Sequence, residues 1–171
     1  IEISESTRRD LQRLFPFANN KTRVIYGGSD HCPMKESQSV MMKAERVLFV
    51  GSLFNRRAVG NLIHAIALLK KKYKGISLTV IGDNRTCPKK DYMALVRELD
   101  LCQNVFLTGY VDEKELERAY GKGGIFCFPS LYEGFGISIV EAQRYGIPVV
   151  TLKNSSLAEV GGDSVLYSPS E

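Results

Sequence analysis

Short runs of β-branched and aromatic residues alternate along this chain with longer segments whose apolar residues fall at three-and-four spacing. That alternation restricts the fold more than any other feature. The strand-like runs are "RVIYG" (23 to 27), "RVLFVG" (46 to 51), "ISLTVIG" (76 to 82), "NVFLTG" (104 to 109), "GIFCFPS" (124 to 130) and "IPVVTL" (147 to 152). Most are apolar throughout instead of alternating, the pattern of strands buried on both faces. Between them lie "RRAVGNLIHAIALLKKKY", "KKDYMALVRELDL", "DEKELERAYG" and "GISIVEAQRYG", each with one apolar helical face, as in Val59, Leu62, Ile63 and Ile66. The expected class is α/β: a doubly wound, Rossmann-like parallel sheet of about six strands with helices on both faces. Ligands of such sheets bind beyond the carboxyl ends of the strands, so the loops after the strands are the place to search.

The 171 residues suffice for one core, and a single domain is predicted. Its first part, residues 1 to 20, reads as a helix: "ISESTRRDLQRLF" offers Ser4 or Ser6 as N-cap and places Leu11, Leu14 and Phe15 on one face. Residues 21 to 171 carry the sheet. The polar stretch from 30 to 45 reads as a loop.

Composition removes several classes of function. No apolar run approaches the roughly 20 residues that cross a bilayer, and the N-terminus lacks a basic-then-apolar leader, so a cytoplasmic protein is expected. A net charge of +4 favours anionic partners only gently. The densest basic run, Lys70 to Lys74, closes a predicted helix, where lysines suit the negative end of the dipole; nucleic acid is not an expected partner. Cys32, Cys87, Cys102 and Cys127 form no CxxC pair and read as reduced thiols. With two histidines, His31 and His64, and no DxD pair, no metal site is expected.

Glycine closes four strand-like runs, in "YGGSD", "FVGSL", "VIGDN" and "LTGYV", but none fits the dinucleotide or Walker fingerprints. The stretch "FCFPSLYEGFGISIVEAQRYGIPVV" is more specific. It takes a strand to Pro129, then to Gly134 and Gly136 at the start of a helix that runs through Glu141. Free amides of Gly134, Phe135 and Gly136 there suit a pyrophosphate. Glu133 precedes the turn and can accept hydrogen bonds from hydroxyls beside the phosphates. Glu141, roughly 7.5 Å further along the helix, can accept from a second hydroxyl-bearing group.

The "YEGFGISIVEAQRYGIPVV" segment closely resembles the signature of the retaining glycosyltransferases of family 4, which have the GT-B fold: two glutamates with seven residues between them, Gly-Phe-Gly among those seven and a Gly-x-Pro-Val-Val strand after. "VIYGGSD", "VLFVGSL", "LTVIGD", "VFLTGYV" and "LAEVGGDSVLY" resemble other segments of that family, so the likeness covers nearly the whole chain. It implies the C-terminal, nucleotide-sugar-binding half of such an enzyme, with residues 1 to 20 a hinge-side helix and the N-terminal acceptor-binding domain absent.

By resemblance, Glu141 holds the ribose hydroxyls, Glu133 those of the transferred sugar, and the Gly134, Phe135 and Gly136 amides the distal phosphate. The family also sets a basic pair on the loop after its first donor-domain strand, here Gly51 onward. Ser52 stands where the arginine is usual, while Arg57 falls at the lysine position with Arg56 beside it. Asp83, Asn84, Tyr110 and Val111 lie on the loops expected to meet the base. The implied reaction moves a hexose from a UDP- or GDP-linked donor to a hydroxyl with retention, without metal or other cofactor, Glu133 and Arg57 being the catalytic residues. The implied acceptor is a carbohydrate or lipid-linked saccharide, in surface polysaccharide or lipopolysaccharide assembly, with peripheral association at the cytoplasmic membrane face. The 171 residues by themselves are expected to bind donor without turning it over. A nucleotide-sugar binding module, a glycogen-synthase-like enzyme and an epimerase of the same fold are the alternatives.

Overall fold

The computed structural model describes residues 1–29 and 45–169. Six strands, β1 (Arg46–Val50), β2 (Ser77–Ile81), β3 (Val105–Gly109), β4 (Ile125–Phe128), β5 (Val149–Leu152) and β6 (Leu166–Ser168), form one parallel sheet in the order β3-β2-β1-β4-β5-β6. The helices are α1 (Glu5–Leu14), α2 (Val59–Lys70), α3 (Tyr92–Glu98), α4 (Glu113–Gly121), α5 (Ile137–Arg144) and α6 (Leu157–Gly161), of which α2 to α6 are the crossovers between successive strands. The expected Rossmann-like α/β sheet is therefore the observed one, and its strand order reverses between β1 and β4.

β1 is registered with β2 from Arg46↔Ser77 to Val50↔Ile81 and with β4 through Val47↔Ile125 and Leu48↔Phe126. Because β1 and β4 lie inside the sheet, their side chains fill the core: Phe49, Phe126 and Phe128 are fully buried, with Phe128 stacked on Phe49 at 5.5 Å and on Phe126 at 6.0 Å between centroids. Val59, Leu62, Ile63 and Ile66, the predicted face of α2, join the same core. The α2 C-terminus carries Lys70, whose ammonium bonds Asp100, as a cation at that end of a helix should.

Three expectations are corrected. "RVIYG" is not a sheet strand: Val24 makes only an isolated parallel bridge to Glu2, through Glu2 N–H to Arg23 O and Ile25 N–H to Glu2 O, both 2.8 Å, and Ile25 and Tyr26 stay exposed. Its β-branched residues favour extended backbone but do not secure a place in a sheet. The sixth strand is instead β6, three residues too short and too polar to stand out in the sequence, paired through Val150↔Leu166 to Leu152↔Ser168. "NVFLTG" is buried on one face only, since β3 is an edge strand and Phe106 lies half-exposed. The stretch read as a loop between 30 and 45 falls outside the described residues, apart from Glu45. Among the described residues no helix is long and apolar enough to cross a membrane.

Ser4 is the N-cap of α1 in a reciprocal capping box: Thr7 N–H donates to Ser4 Oγ at 3.0 Å and Ser4 N–H to Thr7 Oγ1 at 3.2 Å. Leu14 and Phe15, expected on an apolar face, are exposed. What ties α1 to the sheet domain is polar: the Glu159 carboxylate on α6 accepts from Glu5 N–H at 2.8 Å and Ser6 N–H at 3.2 Å. Burial by itself would raise the Glu159 carboxyl, but the Glu5 amide, the Tyr26 hydroxyl, the Ser6 amide and Arg9 outweigh it and hold it below the usual carboxylate value. A depressed folded-state value means that this contribution is complete above the unfolded value and is lost as pH falls through the folded one. Protection of the Glu5 and Ser6 amides against hydrogen exchange should therefore drop on acidification below about pH 4, and Glu159→Gln should lower it already at neutral pH and abolish that pH dependence.

Candidate functional site

Where the strand order reverses, the loop after β1 and the loop after β4 meet. They are joined by backbone: Leu131 N–H donates to Arg56 O at 2.7 Å. The first loop leaves β1 through Gly51, passes Ser52 and Phe54, and makes a single 3₁₀ turn at Asn55–Arg57 before α2. A Cβ on Gly51 would lie 2.3 Å from Arg57 Nη1. Only a bare backbone, at φ 142°, admits the guanidinium there.

Arg57 is fixed on three sides. Its Nε donates to Glu133 Oε1 at 2.8 Å, its Nη2 to Glu133 Oε2 at 3.4 Å and its Nη1 to Ser52 O at 2.9 Å, while the guanidinium carbon lies 5.3 Å from the Phe128 ring centroid. Glu133 is buried, at 7% exposure, and needs such compensation. Ser130 Oγ adds a bond to its Oε1 at 3.0 Å, and Arg56 Nη2 stands 3.8 Å from Oε2. Two cations at the start of α2 oppose the helix dipole unless an anion accompanies them, and in this structure the anion is the Glu133 carboxylate.

Serines from the loop after β5 hold the Glu133 backbone: Glu133 N–H donates to Ser155 Oγ at 3.1 Å, and Ser156 Oγ bonds Glu133 O at 2.8 Å and Phe135 O at 3.0 Å. The chain then enters α5 through Gly136 at φ 99°, where a Cβ would meet Leu157 Cδ2 at 2.9 Å. Gly136 provides no side-chain cap, and the first turn of α5 carries no acid. The amino end of this helix is therefore left for an external anion. It faces a cavity of ≈ 300 Å³ lined by Arg57, Phe128, Glu133, Phe135, Gly136, Ile137 and Ser138, with Ile3 and Gly27 of the N-terminal segment as a further wall.

Glu141 belongs to a second cavity, of ≈ 310 Å³, together with Tyr110, Val111, Glu113, Leu116, Glu117, Tyr120 and Tyr145. The structure thus brings two of the expected base-loop residues, Tyr110 and Val111, to Glu141. Asp83 and Asn84 are elsewhere: Asp83 is within 3.7 Å of Arg85, and Asn84 builds its own loop, bonding Lys90 O, Thr86 N–H and Thr86 Oγ1. Phe135 and Gly136 line the first cavity, whereas Gly134 packs on Ile3, Arg56 Nε is committed to Tyr132 O at 3.1 Å, and Gly51 and Ser52 act by supporting Arg57. Ile3, Gly27, Ser130, Ser155, Ser156 and Tyr120 were not legible as site residues. Their partners lie far away in sequence, and only Ser130 is close enough to Glu133 to have been a signal. Cys127, read as packing, lies inside β4, and burial pushes its thiol up to about 12. Among the described residues no cluster of three or more His, Cys, Asp or Glu is placed to hold a metal ion.

A Rossmann-like sheet with an uncapped helix end and two acids at its switch point is a common architecture for binding anionic ligands. The model of the family described as "Glycosyl transferases group 1" matches residues 34–166, and the chain belongs to that family. It is 27% identical to O-antigen chain mannosyltransferase B of Escherichia coli, over 98% of this chain and 46% of that protein. It is 30% identical to MMP α-(1→4)-mannosyltransferase of Mycolicibacterium hassiacum, over 95% of this chain and 38% of that one. The fold matches that of Anabaena HepE, solved in complex with UDP and glucose, with a TM-score of 0.81 at 24% identity, over 99% of this chain and 49% of that one. The chain spans less than half the length of these proteins.

The Arg57–Glu133 pair yields a stability prediction. Arg57→Ala leaves a buried carboxylate with only Ser130 and a distant Arg56, and should cost roughly 2–3 kcal/mol. Arg56→Ala removes a half-exposed cation and should cost under about 1 kcal/mol. Urea unfolding midpoints of the two variants beside the wild type test that order.

Proposed function

We propose that these residues form the donor-binding half of a retaining family 4 glycosyltransferase, which moves a hexose from a UDP- or GDP-linked sugar to an acceptor hydroxyl without a metal ion. The observation that carries the reading is the uncapped amino end of α5 opening, beside Arg57, into a cavity at the switch point of the sheet, with Glu141 on a neighbouring cavity. The diphosphate would rest on the α5 amides and Arg57, the ribose on Glu141, and the base against Tyr110 and Val111. Glu133 would meet the sugar. Its Oε2 takes only long contacts from Arg57 and Arg56, and a carboxylate has room for about four donors.

In such a transfer the sugar becomes cation-like as the diphosphate departs, so the main catalytic demand is to stabilise the negative charge that develops on the leaving oxygen. Preset helix amides and a guanidinium held in place by Ser52 and Glu133 meet that demand without rearrangement. The leaving phosphate would take up the acceptor proton on the same face. The mannosyltransferase relatives and the UDP-bound HepE support a nucleotide-hexose donor. The O-antigen relative supports an acceptor in surface polysaccharide assembly. That acceptor would be a carbohydrate or lipid-linked saccharide presented at the cytoplasmic membrane face.

Calorimetric titration with UDP, GDP, dTDP and their common sugar conjugates tests the reading. One nucleotide should bind, and Arg57→Ala and Glu141→Ala should each weaken it roughly tenfold or more, the loss of a charged hydrogen bond. Binding of none at millimolar concentration, or binding indifferent to both substitutions, would overturn the assignment.

A further inference from the structure

The second cavity contains a buried phenol that the donor reading does not use. Tyr120, on α4, is 2% exposed, and its hydroxyl donates to Glu141 Oε2 at 2.8 Å. Its ring is pinned by Tyr145 stacked at 5.1 Å and by Phe126 at 6.0 Å. A phenol so deep in the core must give its hydroxyl a partner, but a packing role alone would be served as well by phenylalanine. The partner chosen is the one acid of α5 that lines the neighbouring cavity.

We infer that Tyr120 is a positioning residue that holds the Glu141 carboxylate in the orientation needed to grip a ribose diol. The inference rests on the donor reading, in which Glu141 takes the ribose. Glu141 has three rotatable bonds and stands on a helix surface, so an unheld carboxylate would lose rotamer freedom on binding. The rigid ring removes that cost beforehand, and donation to Oε2 spends one oxygen only. The other oxygen, Oε1, would accept from the diol. The phenol remains a donor at every physiological pH: burial, and then the Glu141 charge, raise it far above its ordinary value. The same bond, with the Tyr120–Tyr145 stack, ties α4 to α5, so it helps set the wall that presents Tyr110 and Val111 relative to the helix that presents the acid.

The test compares wild type, Tyr120→Phe and Glu141→Gln in titrations with UDP and GDP, their 2′,3′-dideoxy counterparts and inorganic pyrophosphate. Phenylalanine retains the ring and its stacking, and the thermal midpoint of that variant checks the fold. The expected result is that Tyr120→Phe weakens the ribonucleotide that binds by roughly five- to tenfold, and the dideoxy nucleotide and pyrophosphate by less than about twofold. Equal losses for ribo- and dideoxy nucleotide, or no loss for either, would sink the positioning role while leaving the donor reading intact if Glu141→Gln still discriminates the two ligands. A Glu141→Gln variant that binds both as the wild type does would instead remove the ribose assignment, and the role of Tyr120 with it.

Discussion

The ion pair between Arg57 and Glu133 is the constraint on which the rest of the site depends. It joins two loops that leave adjacent strands at the point where the strand order reverses, and without it each partner would be a problem. A buried carboxylate would lack a counter-charge, and a cation would sit at the positive end of α2. The pair does not stand by itself. Ser52 offers its carbonyl, Gly51 vacates the space for the guanidinium, and Ser130 adds a third bond to the acid. Ser52 therefore serves through its main chain, and Arg57 supplies the charge.

α5 converts this local arrangement into a site with two compartments. Its amino end, entered through a left-handed glycine and left without a side-chain cap, faces the cavity of Arg57 and Glu133. A turn and a half along, Glu141 reaches the cavity of Tyr110 and Val111. Seven residues between the acids thus place them on two cavities, Glu133 before the helix and Glu141 within it. The loop after β5 fixes the entry to that helix through Ser155 and Ser156, and α4 fixes its middle through Tyr120. The N-terminal segment adds Ile3 and Gly27 as a wall of the first cavity, held to α6 by Glu159 and to the loop after β4 by Tyr132 and Asp10.

Much of this was legible residue by residue. The runs at 46 to 51, 76 to 82, 104 to 109, 124 to 130 and 147 to 152 all became strands, and each intervening apolar face became a crossover helix, because period and β-branching report local backbone preference directly. The run at 23 to 27 has the same local preference and is not in the sheet, while Leu166–Ser168 has little and is. Edge positions need only a few bonds, so membership there is a matter of what chain lies alongside. Within the site, Glu133, Glu141, Phe135 and Gly136 were singled out by their types and spacing, and Arg57 by the resemblance to the family. Asp83 and Asn84 were expected near the base, yet they belong to a loop that Thr86 and Arg85 close on itself.

What the sequence by itself determined is the alternation of strand and helix, the glycine turn before α5 and the spacing of the two acids, all of which are set by interactions within a few residues. Only the tertiary structure decided that Glu133 pairs with Arg57 across 76 positions, that Tyr120 bonds Glu141 across 21, and that Glu159 caps α1 across 154. The reason is physical. A buried charge or hydroxyl must find a partner, but which partner it finds depends on the strand order that brings distant loops to one edge of the sheet, and that order is settled by the packing of the whole core.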